Sequence, residues 1–459
     1  MALQGTKFHG SIFIKEAIKN GASAILYEIK KNNINNHGNI KYIKKNIPII
    51  YFVELSKHLN NISKIYYQVS KTLKLIGVTG TNGKSTVTHI IAQWHYLLNK
   101  KIGIMGTLGH GSYNNLKSSS NTTESQINIQ KFLKKMLKKN IKIVALEVSS
   151  HGIIQNRISN LHFSIAILTN VTSDHLDYHK TIENYIQSKW IFFSQTNIKT
   201  FIINNDDYIA NTFIQKLSKK NVIVVSIKKN FQHDLFKKWI HAYKIIKNIY
   251  FTYIFFKSSW GNGKLKSKLI GNFNITNLLL ALAALLELKY PLSVLINKCK
   301  KIKAIPGRMQ LFKTKKKPFV VIDYAHNEHA FKNVLTAIRS KYRNKIWCIF
   351  GCGGDRDKSK RSLMRKISEK IADKTILTND NPRNEDPMEI ITEIIKGRKL
   401  KKNMYIILDR KKAITFAIIN AEFHDCVLIL GKGHETYQII KEKKYYFSDH
   451  DIVKTLLKQ

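Results

Sequence analysis

Proline and glycine are scarce in this chain, 6 and 22 of 459 residues, and acidic side chains are outnumbered 30 to 77 by lysine and arginine. Cysteine is rarer still. Cys299, Cys348, Cys352 and Cys426 form neither a paired disulfide framework nor a zinc-ligand spacing, since Cys348 and Cys352 lie too far apart for C-x-x-C. Their apolar and glycine-rich neighbours instead place Cys348 in a strand and Cys352 in the turn after it. No apolar stretch approaches the ~20 residues of a membrane span. The longest, LLLALAALL at 278–286, reads as a buried helix, so no membrane insertion is expected. The first residues, MALQGTKFHGSIFIKEAIK, lack the basic start and apolar stretch of a signal peptide, and a reduced cytoplasmic setting is expected.

What is present is an ordinary folded composition: 44% hydrophobic and 10% aromatic, which excludes disordered and collagen-like chains. The net charge of +47 points on its face to a polyanion partner. The lysines, however, are spread everywhere, including solvent faces such as KFLKKMLKKNIK at 131–142, whereas nucleic-acid faces concentrate basic residues on one surface. Compositional drift in an AT-rich genome accounts for the bias, and no specific nucleic acid is expected. Arginine, only ten residues against 67 lysines, then becomes informative. Arg157, Arg308, Arg356, Arg361, Arg365 and Arg383 stand where lysine does not substitute.

Short apolar runs alternate with helical patterns, which predicts a parallel α/β architecture. Strands are expected at 24–27, 48–53, 73–79, 102–105, 141–148, 164–169, 200–203, 222–226, 318–323, 345–350, 374–378, 404–407 and 426–430. Helices are expected at 86–98, 124–138, 181–193, 274–288, 327–340, 360–371 and 410–421. A boundary near 70 precedes a strand that opens a nucleotide site, and Pro306 and Gly307 mark another near 305. The expected domains are 1–70, 71–305 and 306–459. The lysine-rich segment 228–266 reads as irregular apart from strands near 249–256.

The strongest local signal is LIGVTGTNGKST, Leu75 to Thr86. An apolar strand runs into a glycine-rich turn and then a helix. Gly77, Gly80 and Gly83 let the backbone curl with its N–H groups inward, Lys84 reaches outer phosphates, and Ser85 or Thr86 can bind Mg²⁺. Val78 replaces the first glycine of the usual G-x-x-x-x-G-K-[ST] pattern. Glu147 ends a neighbouring strand, placed to hold Mg²⁺ directly or through water. Asp174, His175, Asp177 and His179 follow another apolar strand. Without paired thiolates or closely paired helical histidines, oxygen-preferring Mg²⁺ fits this set better than zinc.

These motifs occur in an ordered series: TGTNGKST, NTTES (121–125), LEVSSHGIIQNR (146–157), TNVTSDHLDYH (169–179), SKW (188–190), GNFNITN (271–277), PGRM (306–309), VIDYAHN (321–327), FGCGGDRDKSKR (350–361), DNPR (380–383) and GKGHE (431–435). The series resembles the Mur ligases over the whole chain. The combination is similar to the members that add meso-2,6-diaminopimelate to UDP-N-acetylmuramoyl-L-alanyl-D-glutamate in peptidoglycan precursor synthesis. The resemblance implies three domains: one for the UDP end of the substrate, a central P-loop-type ATPase, and a Rossmann-like C-terminal domain receiving the amino acid. It implies a monomer that uses ATP and Mg²⁺.

Carried over residue by residue, Gly80, Thr81, Asn82, Gly83, Lys84, Ser85 and Thr86 would hold ATP phosphates, with Ser85, Glu147 and His175 at the metal. Lys189 matches the lysine that the family carbamylates to N6-carboxylysine, which turns a cation into an anionic metal-bridging group. Asn121, Thr122, Thr123, Ser149, Gln155 and Arg157 match positions that grip the UDP-muramoyl dipeptide. Asn274, Asn277, Arg308, Asp323 and His326 match adenosine and phosphate contacts.

Asp380, Asn381, Pro382 and Arg383 resemble the motif that selects diaminopimelate over lysine. Arg383 can hold the extra carboxylate bidentately, while a lysine acceptor would leave the arginine unpaired. Arg356, Gly431 and Glu435 match the other acceptor positions, Glu435 pairing with the distal ammonium. In relatives a strand carrying a Leu-x-x-Asp-Ser-Arg-like segment comes before the point matched by MALQG, so either the start codon is placed too late or the first domain is truncated and its uridine pocket lacks that strand. Thr6, Lys7 and Phe8 are the positions matched there. The rival readings are a lysine-adding ligase, against which DNPR speaks, a folylpolyglutamate synthase, against which the NTT and SSHG segments speak, and an ATP-dependent nucleic-acid-binding protein.

Overall fold

A computed structural model describes residues 1–5, 8–43, 46–70, 72–195, 197–248, 250–314, 316–396 and 401–458. Thr6 and Lys7 lie outside the described residues, as does residue 249, the first of the expected strand at 249–256.

Among the described residues three larger sheets follow one another along the chain, and a two-stranded antiparallel one, Tyr437–Ile440 with Lys443–Tyr446, lies near its end. The first has three strands in the order Ile25–Ile29, Ile47–Val53, Ile40–Ile43, the first two parallel and the last antiparallel. Ala2 bridges Tyr27 in parallel on the outer edge, so the start of the chain runs alongside the sheet. The helix Leu55–Tyr67 follows.

The second sheet has eleven strands, and the nucleotide motifs belong to it. Its middle is parallel: Gly103–Gly106, Ile143–Glu147, Lys74–Thr79, Phe163–Leu168, Thr200–Asn204, Val222–Ser226 and Lys238–Lys247 are adjacent in that order. Both faces of the strands from Gly103–Gly106 to Val222–Ser226 are covered, so they read as largely apolar runs, not as alternating ones. On one face Ile76, Val78, Ile104 and Ile167 pack against the helices Lys84–Leu97 and Asn272–Glu287. On the other, Leu75, Leu146 and Phe163 pack with Phe132 and Phe192 from the helices Gln126–Lys138 and Ile182–Phe193. The run 278–286 is buried throughout in the helix Asn272–Glu287, and no helix of the described residues is long and apolar enough to cross a membrane.

Two expectations are corrected. The helix after the glycine turn begins at Lys84, not 86, because Gly83 in a left-handed conformation (φ +92°) is its N-cap. The segment 228–266 is not irregular. Lys238–Lys247, Thr252–Ser258 and Gly263–Ser267 form an antiparallel meander that extends the sheet. Ile240, Ala242, Ile254, Phe256 and Leu265 face inward, while Lys264 and Lys266 lie 4.6 Å and 4.0 Å over the rings of Tyr253 and Phe251. Lysine stems covering outward aromatics conceal the period-2 pattern in the sequence.

The third sheet has six strands in the order Gln310–Phe312, Phe319–Asp323, Cys426–Leu430, Ile346–Phe350, Lys374–Leu377, Met404–Ile406. All but the first are parallel. Cys348 sits in a strand and Cys352 in the turn after it, and all four cysteines are buried and free. The third sheet's helices bury a further core that also takes in Ile270 and Phe273 from the preceding unit.

Candidate active site

The strand Lys74–Thr79 lies between Ile143–Glu147 and Phe163–Leu168, so the chain leaves the sheet on opposite sides of it. Such a switch point opens a crevice at the carboxyl ends of the strands. The glycine turn fills that crevice. Gly80 (φ +139°) sits so close to Thr169 that a Cβ would stand 1.9 Å from its Oγ1. Asn170 takes hydrogen bonds from the Thr81 and Asn82 amides at 2.9 Å and 3.0 Å, which fixes the turn's shape. Lys84 Nζ donates to the carbonyls of Gly80 and Thr81 at 2.8 Å and 2.9 Å, closing the loop on itself. Burial holds the Lys84 ammonium below its ordinary range, opposed by the charges of Glu147 and Asp174.

Ser85 Oγ donates to Glu147 Oε2 at 2.9 Å, and Thr107 donates to the same carboxylate from its amide and its hydroxyl, both at 3.0 Å. Glu147 is fully buried, so three neutral donors compensate it. Thr122 meets the Thr107 hydroxyl at 3.0 Å. Thr123 Oγ1 donates to the Glu147 carbonyl at 2.8 Å and lies 3.1 Å from Ser149 Oγ. Arg157 reaches the Thr123 carbonyl and the Gln155 side chain, both at 2.6 Å. Thr122, Thr123, Ser149, Gln155 and Arg157 thus form one continuous polar strip beside the glycine turn. Asn121 stands exposed at its end, donating to Ser120 Oγ at 3.1 Å. Phe8, on the first sheet's unit, is exposed.

His175 has a left-handed backbone (φ +56°) and opens the short helix Leu176–His179. Its ring stacks edge-on to His151 at 5.0 Å and lies 6.4 Å from the Tyr185 ring. Burial, opposed by Asp174, pushes its imidazole down to about 4, so it is neutral at physiological pH. Lys189 is buried in the helix Ile182–Phe193 with Nζ 4.1 Å over the Tyr185 ring. Burial first, then the nearby Lys84 charge, pushes this amine well below its ordinary range. Asp174 shows the reverse: burial would raise its carboxyl, but His326, His175 and Lys360 hold it down at about 2.

The third sheet's unit closes over this crevice. Asn82, Gly83 and Thr86 meet Asn274, Asn277, Arg308, Asp323, Phe273, Ala330 and Val334 around a cavity of about 80 Å³ with an apolar wall. Asn274 Nδ2 donates to the Ile270 carbonyl at 2.8 Å. Asn277 Nδ2 donates to Asn274 Oδ1 at 3.3 Å. The Arg308 guanidinium lies 4.4 Å over the Tyr324 ring, and its buried Nε has no hydrogen-bond partner among the described residues. The Asp323 carboxylate accepts the Met309 and Ala325 amides at 2.7 Å and 2.8 Å, and burial raises it against the pull of Arg308. His326 Nε2 is 4.0 Å from Asp174.

A second cleft, about 210 Å³, adjoins the first. Ser173, Asp174, His175 and Asp177 line one wall, and His326, Arg356, Asp380, Asn381, Arg383, Gly431 and Glu435 line the other. Arg356 donates to Asp177 across it at 3.1 Å. Arg383 has φ +52° and donates from Nη1 to the Gly354 carbonyl at 2.7 Å; the Pro382 carbonyl packs against Gly354. Asn381 Nδ2 donates to Glu435 Oε2 at 3.0 Å, and a Cβ on Gly431 would stand 2.5 Å from Asp380.

Four residues of this site escaped sequence reasoning. Asn327 Nδ2 donates to Asp174 Oδ2 at 2.9 Å and to Asn82 Oδ1 at 3.4 Å; it is the last letter of VIDYAHN and was present in the motif. Asn170 shapes the loop from within TNVTSDHLDYH. Lys432, inside GKGHE, is buried behind Glu435. Thr107 follows a short strand and carried no sequence signal.

Two family models match this chain: the Mur ligase middle domain over residues 78–285, and the Mur ligase glutamate ligase domain over 307–433. A protein of Buchnera aphidicola subsp. Baizongia pistaciae named UDP-N-acetylmuramoyl-L-alanyl-D-glutamate–2,6-diaminopimelate ligase is 57% identical over 96% of this chain and 87% of its own. One of the same name from Buchnera aphidicola subsp. Schizaphis graminum is 51% identical over 100% and 92%. A solved structure of a ligase with this name matches with a TM-score of 0.65 and 31% identity, covering 97% of this chain and 89% of that one. The fold and these likenesses agree: the chain belongs to the Mur ligase family.

Proposed function

We propose that this chain is the ATP-dependent amide ligase that joins meso-2,6-diaminopimelate to the D-glutamate of UDP-N-acetylmuramoyl-L-alanyl-D-glutamate. The observation that carries the reading is the 210 Å³ cleft, walled by the segment next to the phosphate loop on one side and by Arg383, Asn381 and Glu435 on the other. An activated acyl group and an amino-acid acceptor can meet only in such a place.

The γ-carboxylate of the D-glutamate attacks the terminal phosphorus of ATP, giving an acyl phosphate and ADP. The acceptor amine then attacks the acyl carbon, the tetrahedral intermediate loses inorganic phosphate, and the nitrogen gives up a proton to leave the amide. Carboxylate oxygen is a poor leaving group, so phosphorylation supplies the driving force. Lys84, half-buried near the Glu147 and Asp174 carboxylates, supplies positive charge to the phosphoryl group in transfer once its two loop carbonyls release it. The polar strip from Thr122 to Arg157 would hold the dipeptide end, and the Asn274, Asn277, Arg308 and Asp323 cavity the adenosine.

The donor set suits Mg²⁺: a serine hydroxyl in contact with a carboxylate, and a neutral imidazole nearby. Ser85, Glu147, His175 and Lys189 would hold it, and bound there it would neutralise phosphate charge. Lys189 fits carbamylation because its buried amine is held toward the neutral form, the form whose lone pair adds to CO₂. The new C–N bond forms, a proton leaves, and an anionic carbamate replaces a potential cation. The test is the purified chain with the UDP-muramoyl dipeptide, ATP, Mg²⁺ and labelled diaminopimelate. Tripeptide and phosphate in equal amounts are expected; ATP turnover without tripeptide overturns the reading.

A further inference from the structure

Lys432 has no exposed side-chain surface and does not line the acceptor cleft. Its Nζ donates to Asn381 Oδ1 and to Glu435 Oε2, both at 3.0 Å. Both partners do line the cleft. Asn381 is further fixed by accepting the Ile439 amide at 2.9 Å, and Glu435 Oε1 takes the Tyr324 hydroxyl at 3.4 Å. A buried ammonium is costly unless paired, so its presence behind a cleft wall calls for a reason.

Charge supplies one. At this end of the cleft the charged side chains are Arg383, Asp380 and Glu435, with Arg356 beside them paired to Asp177 (3.1 Å), Lys432 directly behind and the fully buried Arg410–Asp449 pair (2.8 Å) deeper in. With Lys432 present, Arg383 and Lys432 face Asp380 and Glu435, and the Arg356–Asp177 and Arg410–Asp449 pairs each cancel. The distal centre of diaminopimelate, an ammonium and a carboxylate, is also neutral. A lysine acceptor brings a lone cation. Without Lys432 the end carries one net negative charge and would favour that cation.

Resting on the function proposed above, we infer that Lys432 is a specificity-determining positioning residue, holding Asn381 and Glu435 from behind and setting the acceptor end to a charge that matches a zwitterion and rejects a lone ammonium.

The test is steady-state kcat and KM for meso-diaminopimelate and L-lysine on wild type, Lys432→Met and Lys432→Gln, with folding checked by circular dichroism. Gln keeps hydrogen-bond donors but not the charge, and it carries the test where Met does not fold. In both variants the diaminopimelate-to-lysine ratio of kcat/KM is expected to fall at least about tenfold. The cause should be a higher KM for diaminopimelate with kcat changed less than about threefold, while lysine use holds or rises. Equal losses for both acceptors, or a Gln variant with the wild-type ratio, would overturn the inference while the ligase assignment stands. A wild type with no preference for diaminopimelate would overturn both.

Discussion

Replacing Arg383 by alanine separates acceptor recognition from ligation chemistry. The guanidinium is half-buried in the cleft, and one of its N–H groups is committed to the Gly354 carbonyl at 2.7 Å, which orients the planar fork. A carboxylate docking on that fork gains charge-assisted bonds, each worth about 1.5–3 kcal/mol. A lysine acceptor offers no such partner and leaves a desolvated cation unpaired, so the wild type should prefer diaminopimelate by about 3 kcal/mol or more. At about 1.4 kcal/mol per decade, that is at least about a hundredfold in kcat/KM. Arg383→Ala should erase most of this through KM for diaminopimelate and leave lysine use within about threefold. Arg383→Lys should not restore it, because an ammonium keeps the charge without the two-pronged geometry. The backbone serves as an internal control. At φ +52° alanine and lysine bear the same left-handed penalty as arginine, so the comparison isolates the side chain. The assay is kcat/KM for both acceptors on all three proteins. Parallel losses for both acceptors in the alanine variant, or a wild type that uses lysine equally well, would refute the reasoning.

Lys84→Ala should abolish ATP-dependent ligation while leaving the thermal melt near wild type, because only loop-carbonyl bonds are lost from the fold; undiminished turnover counts against the phosphate-loop role. Lys189→Ala should be nearly inactive and partly rescued by short carboxylic acids that replace the carbamate; an active enzyme with an unmodified Lys189 sinks the idea. Gly106→Ala should disable the site without touching a ligand, since its Cβ would stand 2.0 Å from Glu147 Oε1; kcat falling at least about tenfold is expected, and wild-type kcat speaks against a fixed Glu147. Stability should fall from pH 7.5 to pH 5. His175, and His434 of the GKGHE segment with its ring 4.9 Å from that of Tyr324, are pushed down by burial to about 4 and about 3 and take up protons near 6.5 only when unfolded, so the unfolded state binds more protons across that window. Each contributes about 2 kcal/mol of loss at pH 5, read by urea unfolding at both pH values; equal stability at the two refutes the burial of neutral histidines.

Much of this fold is legible in the sequence because parallel strands covered on both faces are apolar on both sides of their buried stretch, as in LIGV of Lys74–Thr79 and IAIL of Phe163–Leu168. The phosphate turn is legible because Gly80 and Gly83 stand where a side chain would meet Thr169 or Asn277. The meander at 238–267 is hidden by its outward lysines, which are solvated at the tip and apolar along the stem. Thr107 is invisible for a different reason: its role depends on the strand Gly103–Gly106 lying beside Ile143–Glu147, a pairing between segments forty residues apart. Lys432 is one of 67 lysines, and nothing in its neighbours says that it points inward. Local chemistry shows in a sequence; contacts made by chain topology do not.

The glycine turn's unit and the third sheet's unit are joined at the candidate site itself. Asn327 caps its helix by accepting the Ala330 amide at 2.9 Å, and with its other atom holds Asp174 and reaches Asn82 of the phosphate loop. Arg356 and Asp177 make a second bond across the cleft, and Ile270 and Phe273 seat an apolar edge of the nucleotide unit in the third sheet's core. The cleft therefore has its second wall only while the units are together. On the function proposed above, an acyl phosphate would be open to water wherever that wall is missing, so the polar contacts that hold the wall bearing Arg383 and Glu435 in place would also keep the intermediate dry. Asn82 belongs to the glycine turn, so the turn and the cleft's second wall meet at one side chain, Asn327.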